Sequence, residues 1–222
     1  MTSPASAWAA QATRRILRLP LLLACAVLPA VASAGTLPLQ GVFAADDDIF
    51  SIGFTLAAID TVTATSLGFA GGTRVNGASV AAGGFATVLS LFDGSGQLLQ
   101  LSVGSANACA SAPADPATGY HWDACFSATL GAGAYTLVLS QDANLPTGPM
   151  LADGFDKTGQ PDYTGWSYLG TSARFINADG SARDGRWALD LTATSVPEPA
   201  TWALLATGLA LLLVSARRRA HR

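Results

Sequence analysis

Short runs of apolar and β-branched residues, several of them alternating with polar positions, recur through the middle of the chain. Alternation over a few residues is typical of a strand that buries one face. No run in this part of the chain has the spacing of an amphipathic helix. The pattern therefore predicts an all-β domain, a β-sandwich or jelly roll, with strands at residues 50–56, 61–67, 87–92, 97–103, 126–130, 135–140 and 186–193.

The connections between neighbouring runs predict how the strands pair. Gly94 and Gly96 lie in one short connection, and Gly131 and Gly133 lie in another. Glycine adopts positive φ at little cost, so both connections favour hairpins. Three antiparallel pairs are predicted: 50–56 with 61–67, 87–92 with 97–103, and 126–130 with 135–140.

The N-terminal end has the order of a secretory signal peptide. Arginines at 14, 15 and 18 precede an apolar stretch at 19–31, and Ala32, Ser33 and Ala34 then supply the small residues that signal peptidase reads. We expect residues 1–34 to be removed by cleavage between Ala34 and Gly35. A membrane anchor is disfavoured, because about 13 apolar residues interrupted by two prolines are too few to span a bilayer.

Parts of this segment also resemble two variants of the export signal. Residues 13–15 resemble the start of a twin-arginine signal, but Arg18 and Leu19 depart from that motif. Residues 22–25 are similar to a lipoprotein box that ends at Cys25, but Leu23 fits it poorly and a cut there would bypass Ala34. The ordinary signal peptide is the preferred interpretation.

The C-terminal end combines three features in a fixed order. Pro197, Glu198 and Pro199 precede an uncharged stretch at 200–216, and a basic tail with Arg217, Arg218 and Arg219 follows. As a helix of about 1.5 Å per residue, the stretch would span roughly 25 Å, enough for a thin bilayer. Since arginines cross membranes at high cost, the tail should stay in the cytoplasm and the domain outside.

Residues 196–222 resemble the PEP-CTERM sorting signal of exosortase substrates. The resemblance implies that exosortase, a membrane protease, recognises Pro197, Glu198 and Pro199 and releases or transfers the protein, usually in Gram-negative bacteria that make exopolysaccharide. It implies that the membrane helix and basic tail are a retention signal. An ordinary C-terminal anchor is the alternative. The expected organisation is a signal peptide at 1–34, an extracytoplasmic domain at 35–195 and the sorting signal at 196–222.

Charge is distributed unevenly along the chain. The net charge is −3, yet between residues 35 and 195 only five basic residues accompany fourteen aspartates. Such a domain repels phosphate backbones, so nucleic acid is excluded as a partner. The only glutamate of the chain is Glu198. Because aspartate favours turns whereas glutamate favours helices, this composition supports a domain of strands and turns.

Cys109 and Cys125 are the two cysteines that remain after removal of the signal peptide. Outside the cytoplasm such a pair predicts a disulfide, worth roughly 3 kcal/mol for a loop of this length. A metal site is the alternative, but His121 is the one further ligand nearby.

The domain itself resembles the bacterial pre-peptidase C-terminal type in its segments 85–96 and 130–139. More closely it is similar to a small family of exported PEP-CTERM proteins of the DVUA0089 type, which share the motifs found here at 153–155 (Asp-Gly-Phe) and 186–190 (Arg-Trp-Ala-Leu-Asp). This resemblance spans roughly residues 43–191. It implies a β-sandwich without known catalytic machinery.

Candidate chemistry is sparse. His121 is the domain's one histidine and no Gly-x-Ser-x-Gly motif is present, so we assign no catalytic residue and expect no enzyme. Oxygen ligands for Ca²⁺ could come from Asp46, Asp48 and Asp153, although aspartates that cap turns are the preferred interpretation.

Three tryptophans, Trp122, Trp166 and Trp187, are interpreted as core or strand-edge residues rather than as a platform for sugar stacking, because no spacing places them on one face. The sequence therefore predicts a non-enzymatic exported protein of the cell envelope or matrix, associated with exopolysaccharide. The alternative is a calcium-dependent domain that binds or cleaves carbohydrate.

Overall fold

The computed structural model describes residues 35–104, 109 and 112–193. Ten strands are found in these residues: β1 (Gly35–Val42), β2 (Ile49–Leu56), β3 (Asp60–Ser66), β4 (Gly72–Thr73), β5 (Ser79–Val80), β6 (Thr87–Asp93), β7 (Leu98–Val103), β8 (Cys125–Leu130), β9 (Gly133–Gln141) and β10 (Arg186–Ala193). A 3₁₀ turn (Leu151–Asp153) and a short helix α1 (Tyr163–Leu169) lie between β9 and β10.

Two antiparallel sheets of four strands make up the domain. One sheet has the order β1-β10-β3-β8 and the other the order β2-β9-β6-β7, and β4 with β5 forms a small separate ribbon. The inward residues of both sheets bury one common apolar core, as in β-sandwiches. The prediction of an all-β sandwich is confirmed, and each predicted run lies on a strand.

Only one of the three predicted pairings is correct. The hairpin of β6 with β7 is formed, and its turn has Gly96 at a φ of +85°. The pairing of β2 with β3 and that of β8 with β9 are wrong, because each of these connections crosses from one sheet to the other. Instead β2 pairs with β9 and β3 pairs with β8, so that the connection from β2 to β3 lies beside the connection from β8 to β9.

The reason for these errors lies in the alternation itself. Phe54 and Leu56 of β2 and Val62 and Ala64 of β3 are all buried in the same core. A strand alternates in the same way whether the next strand lies beside it or opposite it. The apolar pattern therefore locates the strands but not their partners.

Strand β1 and helix α1 were not predicted. In β1 the residues alternate between half-buried and exposed, but Pro38 and Gly41 weaken the strand pattern. Proline is tolerated because β1 is the edge strand and pairs with β10 alone. Helix α1 has seven residues, which is too short to show a helical period, and it buries Tyr163, Thr164 and Gly165.

The segment that follows β9 covers the outer face of the second sheet. Phe92 and Val138 on that face pack with Phe155 from the covering segment in a second apolar cluster. As a result β6 is buried on both faces over nearly its whole length. The end of β9 lies at the point where the sheet meets this cover.

Within the residues that the structure describes, no helix is long and apolar enough to cross a membrane. The membrane helix expected at residues 200–216 lies outside those residues, as does the signal peptide expected at 1–34. The signal peptide and the membrane helix therefore stay predictions.

Candidate functional site

The residues predicted for export and sorting lie at or beyond the edges of the described chain. Gly35, which follows the predicted cleavage site, is the first residue of β1, and Ala34 lies outside the described residues. The sorting triplet Pro197, Glu198 and Pro199 and the basic residues Arg217, Arg218 and Arg219 also lie outside them. Gly35 pairs with Ala193 at the edge of the sheet, so the first and last described residues of the domain lie side by side.

Cys109 and Cys125 form the predicted disulfide, with an S–S distance of 2.04 Å and a Cα–Cα distance of 5.3 Å. Cys125 is the first residue of β8. The bond therefore fastens the long connection between β7 and β8 to the sandwich. This connection also carries Trp122, which lines the cavity described below.

The three aspartates considered as calcium ligands are not brought together. Asp46 is fully buried and accepts hydrogen bonds from Thr164 and from the backbone N–H of Phe175. Asp48 caps the backbone of residues 44 and 45, and Asp153 accepts a bond from the N–H of Met150. No group of three or more potential metal ligands occurs among the described residues. Calcium binding stays a prediction that these contacts do not support.

The same use of carboxylates extends through the domain. Every aspartate except Asp162 accepts at least one hydrogen bond from a backbone N–H. At Asp93 and Asp179 a bond from the serine two residues later lowers the pKa of the carboxyl. The aspartates thus cap turns and fix loops, as the sequence interpretation favoured.

The candidate aromatic and histidine residues occupy different environments. The Nδ1 atom of His121 lies 2.7 Å from the carbonyl oxygen of Ala112, so the ring holds its own loop. Trp187 is in the core, 4.5 Å from Phe50 between ring centroids. Trp166 on α1 is 59% exposed. The three tryptophans do not share one surface, as their spacing indicated.

A cavity of about 220 Å³ opens between the end of β9, the residues before β8 and helix α1. Its aromatic walls are Phe69, Trp122 and Tyr168, and its polar walls include Gln141, Asp142 and Arg183. The guanidinium of Arg183 lies 3.6 Å from the centre of the Phe69 ring and donates to the Phe69 carbonyl. Arg183 is thereby held against the wall.

Two neighbouring polar groups of this cavity are incompletely bonded. Gln141 is 4% exposed, and its Oε1 atom is buried without a hydrogen-bond partner among the described residues. The carboxylate of Asp142 accepts one bond, from the N–H of Ala143 to Oδ1. Burial raises the pKa of Asp142 above its usual value. The two groups leave acceptor capacity at the end of β9.

Aromatic side chains are also exposed beside the cavity. Tyr168 in its wall and Tyr120 are each 44% exposed. The rings of Tyr120 and Trp122 meet edge to face with 5.4 Å between centroids. The arrangement combines apolar ring faces with unsatisfied hydrogen-bond acceptors, as in many small-molecule sites.

Sequence reasoning did not find this cavity. The sequence predicts Trp122 to be a core or strand-edge residue, and Gln141, Asp142 and Tyr168 carry no motif. The residues come from segments that are far apart in the chain and converge only in the folded sandwich. The strand end at Gln141 was predictable, whereas the cover that meets it was not.

Comparison with known proteins identifies one segment of the chain. Residues 195–219 match the model of the PEP-CTERM protein-sorting motif. No curated protein is similar enough in sequence to be matched. The match covers the sorting segment and not the sandwich, so the resemblance of the sandwich to the pre-peptidase C-terminal and DVUA0089 types stays a prediction.

The sorting motif begins immediately after the strand that closes the sandwich. Strand β10 ends at Ala193 and the matched segment starts at residue 195. The motif implies export and processing by exosortase, while the disulfide suits a compartment outside the cytoplasm. The chain therefore carries a PEP-CTERM sorting motif, which implies an exported protein that exosortase processes.

Proposed function

We propose that this protein is a non-enzymatic component of the cell envelope or extracellular matrix that associates with exopolysaccharide after exosortase has processed its C-terminal signal. Exosortase and signal peptidase are its processing partners, and the membrane holds its precursor. The sorting motif at 195–219 is the observation that carries this proposal. The resemblance to other exosortase substrates supplies the connection to polysaccharide.

The bonding of three buried carboxylates and of the domain's one histidine supports a role without catalysis. Acid and base catalysis on a glycoside needs two carboxyl groups that face one substrate. Here Asp46 and Asp123 are fully buried and Asp190 is 5% exposed, and each is bonded to backbone N–H groups. His121 is bonded to a backbone carbonyl. These groups stabilise the sandwich, and the proposal assigns no catalytic residue to it.

The same contacts support a role without a metal cofactor. The carboxylate oxygens of Asp46, Asp48 and Asp153 accept hydrogen bonds from N–H and O–H groups. Ca²⁺ instead needs several oxygen ligands that converge on one point. A calcium-dependent site remains the alternative. It predicts loss of polysaccharide binding when a chelator is added.

Fractionation of the native host tests the proposal. We expect wild-type protein to lose the segment after the sorting triplet, to co-sediment with the host's exopolysaccharide, and to release no reducing ends from it. The control is the same protein expressed in a strain that lacks exosortase, in which the intact C-terminus should stay with the membrane. Protein that does not co-sediment, or that releases reducing ends, would contradict the proposal.

A further inference from the structure

We propose that the cavity formed by Trp122, Tyr168, Gln141 and Asp142 binds one uncharged sugar unit of a polysaccharide without a metal ion. This inference rests on the proposed association with exopolysaccharide and names the site and the class of ligand. Four observations carry it: an unsatisfied buried amide, a carboxylate with an unbonded oxygen, aromatic side chains in the cavity wall, and the size and charge of the cavity.

The amide of Gln141 is the first observation. A buried acceptor without a partner is costly, and few such groups persist in folded proteins. Gln141 is only 4% exposed, yet it forms part of the cavity wall. Because the last torsion angle of glutamine has a broad energy profile, the amide can turn Oε1 toward a donor in the cavity. A sugar hydroxyl supplies such a donor.

Asp142 is the second observation. Its Oδ1 accepts a bond from Ala143, while no described residue donates to its Oδ2. The backbone of this residue is fixed, since its N–H donates to Ala86 and its carbonyl oxygen accepts from the hydroxyl of Tyr163. The carboxylate therefore has a fixed position and free acceptor capacity. Together with Gln141 it can accept from two neighbouring hydroxyls of one ring.

The aromatic side chains are the third observation. A pyranose has an apolar face of C–H groups, which an aromatic ring with its negative face attracts. Trp122 is held in place by a bond from Nε1 to Thr118 and by contact with Tyr120. Tyr168 stays 44% exposed on the helix α1. Large exposed rings beside unsatisfied acceptors mark a binding surface.

Size and charge define the ligand class. A volume of about 220 Å³ is below the ~300–1,000 Å³ of pockets that hold drug-sized ligands, so the cavity suits one ring rather than a peptide. Asp115, Asp142 and Asp179 line the cavity, whereas Arg183 is the one basic residue in its wall and is already placed over Phe69. The excess of carboxylates repels uronic acids, sulfates and phosphates. An uncharged sugar fits best.

Titration of the full chain with oligosaccharides tests the site. The protein is kept in a detergent without a sugar headgroup, and hexamers of glucose, mannose and galactose are compared with an oligogalacturonate by calorimetry. We expect at least one neutral hexamer to bind, the uronate to bind at least ten-fold more weakly, and a chelator to have no effect. Binding of the uronate alone, or loss of binding with chelator, would overturn the proposal.

Variants separate recognition from folding. Gln141→Met keeps the side-chain length but removes the acceptor, and Asp142→Asn replaces one acceptor oxygen with a donor. Both should weaken binding at least ten-fold, while the melting temperature of free Gln141→Met should be unchanged or higher. Trp166→Ala is the matched control, because Trp166 is an exposed aromatic that does not line the cavity. Equal affinity of wild type and Gln141→Met would overturn the proposal.

Co-sedimentation distinguishes this inference from the proposed function. If wild type binds the host's exopolysaccharide and Gln141→Met binds it equally, the cavity is not the site, although the proposed association holds. If wild type itself fails to bind that polysaccharide and every neutral hexamer, the association and the inference both fail. If only Gln141→Met and Asp142→Asn fail to bind, both are supported.

Discussion

Arg74 and Asp190 form a buried ion pair on the outer face of the first sheet. Nη2 of Arg74 lies 2.8 Å from Oδ1 of Asp190, and each side chain is only 5% exposed. Arg74 also donates to the carbonyl oxygens of Leu39 and Leu189, and the second oxygen of Asp190 accepts from the N–H of Val75. The pair fastens the connection between β3 and β6 to strands β1 and β10.

Removing one partner of this pair should be strongly destabilising. Arg74→Met leaves the Asp190 carboxylate buried without its counter-charge, so we expect the free energy of unfolding to fall by about 3–5 kcal/mol. Denaturant titration measures it. Arg186→Met is the control, because the ion pair of Arg186 with Asp184 is about half exposed, so its loss should destabilise the domain far less. Equal losses in the two variants would contradict the role given to Arg74.

The disulfide should stabilise the native domain. Replacing both Cys109 and Cys125 with serine should lower the free energy of unfolding by roughly 3 kcal/mol. Without the bond, the unfolded chain regains the conformational entropy that closing the loop removes. Denaturant titrations of both proteins give the difference. The native exported protein should not react with a thiol reagent at either position. Labelling of Cys109 or Cys125 would show that the bond is not formed.

Asp123 should give the stability a specific dependence on pH. Burial raises the pKa of this carboxyl above its usual value of 3.8. The group therefore contributes stability that is fully present below pH 3.8 and is lost as the pH rises through the folded-state pKa. Asp123→Asn removes this contribution, so the stability gap between wild type and variant should shrink over that range. Unfolding measured at several pH values between 3 and 7 checks it.

At neutral pH the same variant should still be less stable than wild type. The carboxylate of Asp123 accepts bonds from Ser66 and from the N–H groups of Phe69 and Ala70. An asparagine would turn its NH₂ group toward one of these donors, which costs about 1–3 kcal/mol. Asp162→Asn is the control, since the side chain of Asp162 makes no capping bond at the start of α1. A gap that widens with pH would show that the pKa of Asp123 is not raised.

The sorting triplet should govern processing and not insertion. Pro197 and Pro199 restrict φ and lack N–H groups, so the chain around Glu198 should be extended and accessible to a protease. Glu198→Ala should reach the membrane but keep its C-terminal segment. Replacement of Arg217, Arg218 and Arg219 should instead impair retention before processing. Mass spectra of protein from cells and medium distinguish these outcomes, and Glu198→Ala that is processed like wild type would refute the assigned recognition.

Chelation should leave the folded protein unchanged. A ligand that binds only the native state raises its stability by mass action. Because the oxygens of Asp46, Asp48 and Asp153 face backbone donors, we expect the same melting temperature with EDTA and with added Ca²⁺. A melting temperature that rises with Ca²⁺ and falls with EDTA would establish the calcium site.

The sequence was sufficient to locate most strands and the disulfide, because both depend on local patterns or on few candidates. Alternation identified β2, β3 and β6 to β10, and two exported cysteines allow one bond. Strand β1 was missed because it contains Pro38 and Gly41. The structure explains Gly41: a Cβ at this position would lie 2.6 Å from the Trp187 ring.

The cavity could not be predicted, because its properties arise only from packing. Nothing near Gln141 in the sequence indicates that its amide is buried without a partner. Likewise Asp142 differs from the other aspartates only in what surrounds it. The general use of aspartates in turns was predictable from composition, whereas the place of Asp142 in the wall of a cavity was not.

The position of β10 constrains when the domain can fold during export. This strand is the last of the domain in the chain, yet it lies between β1 and β3 in the first sheet. A chain that is translocated with its N-terminus first delivers β1 early, but β1 has no partner strand until β10 has crossed. Because pairing across about 150 residues is slow relative to local pairing, the side of β1 that pairs with β10 stays open to chaperones, proteases and other chains until translocation reaches the residues just before the sorting motif.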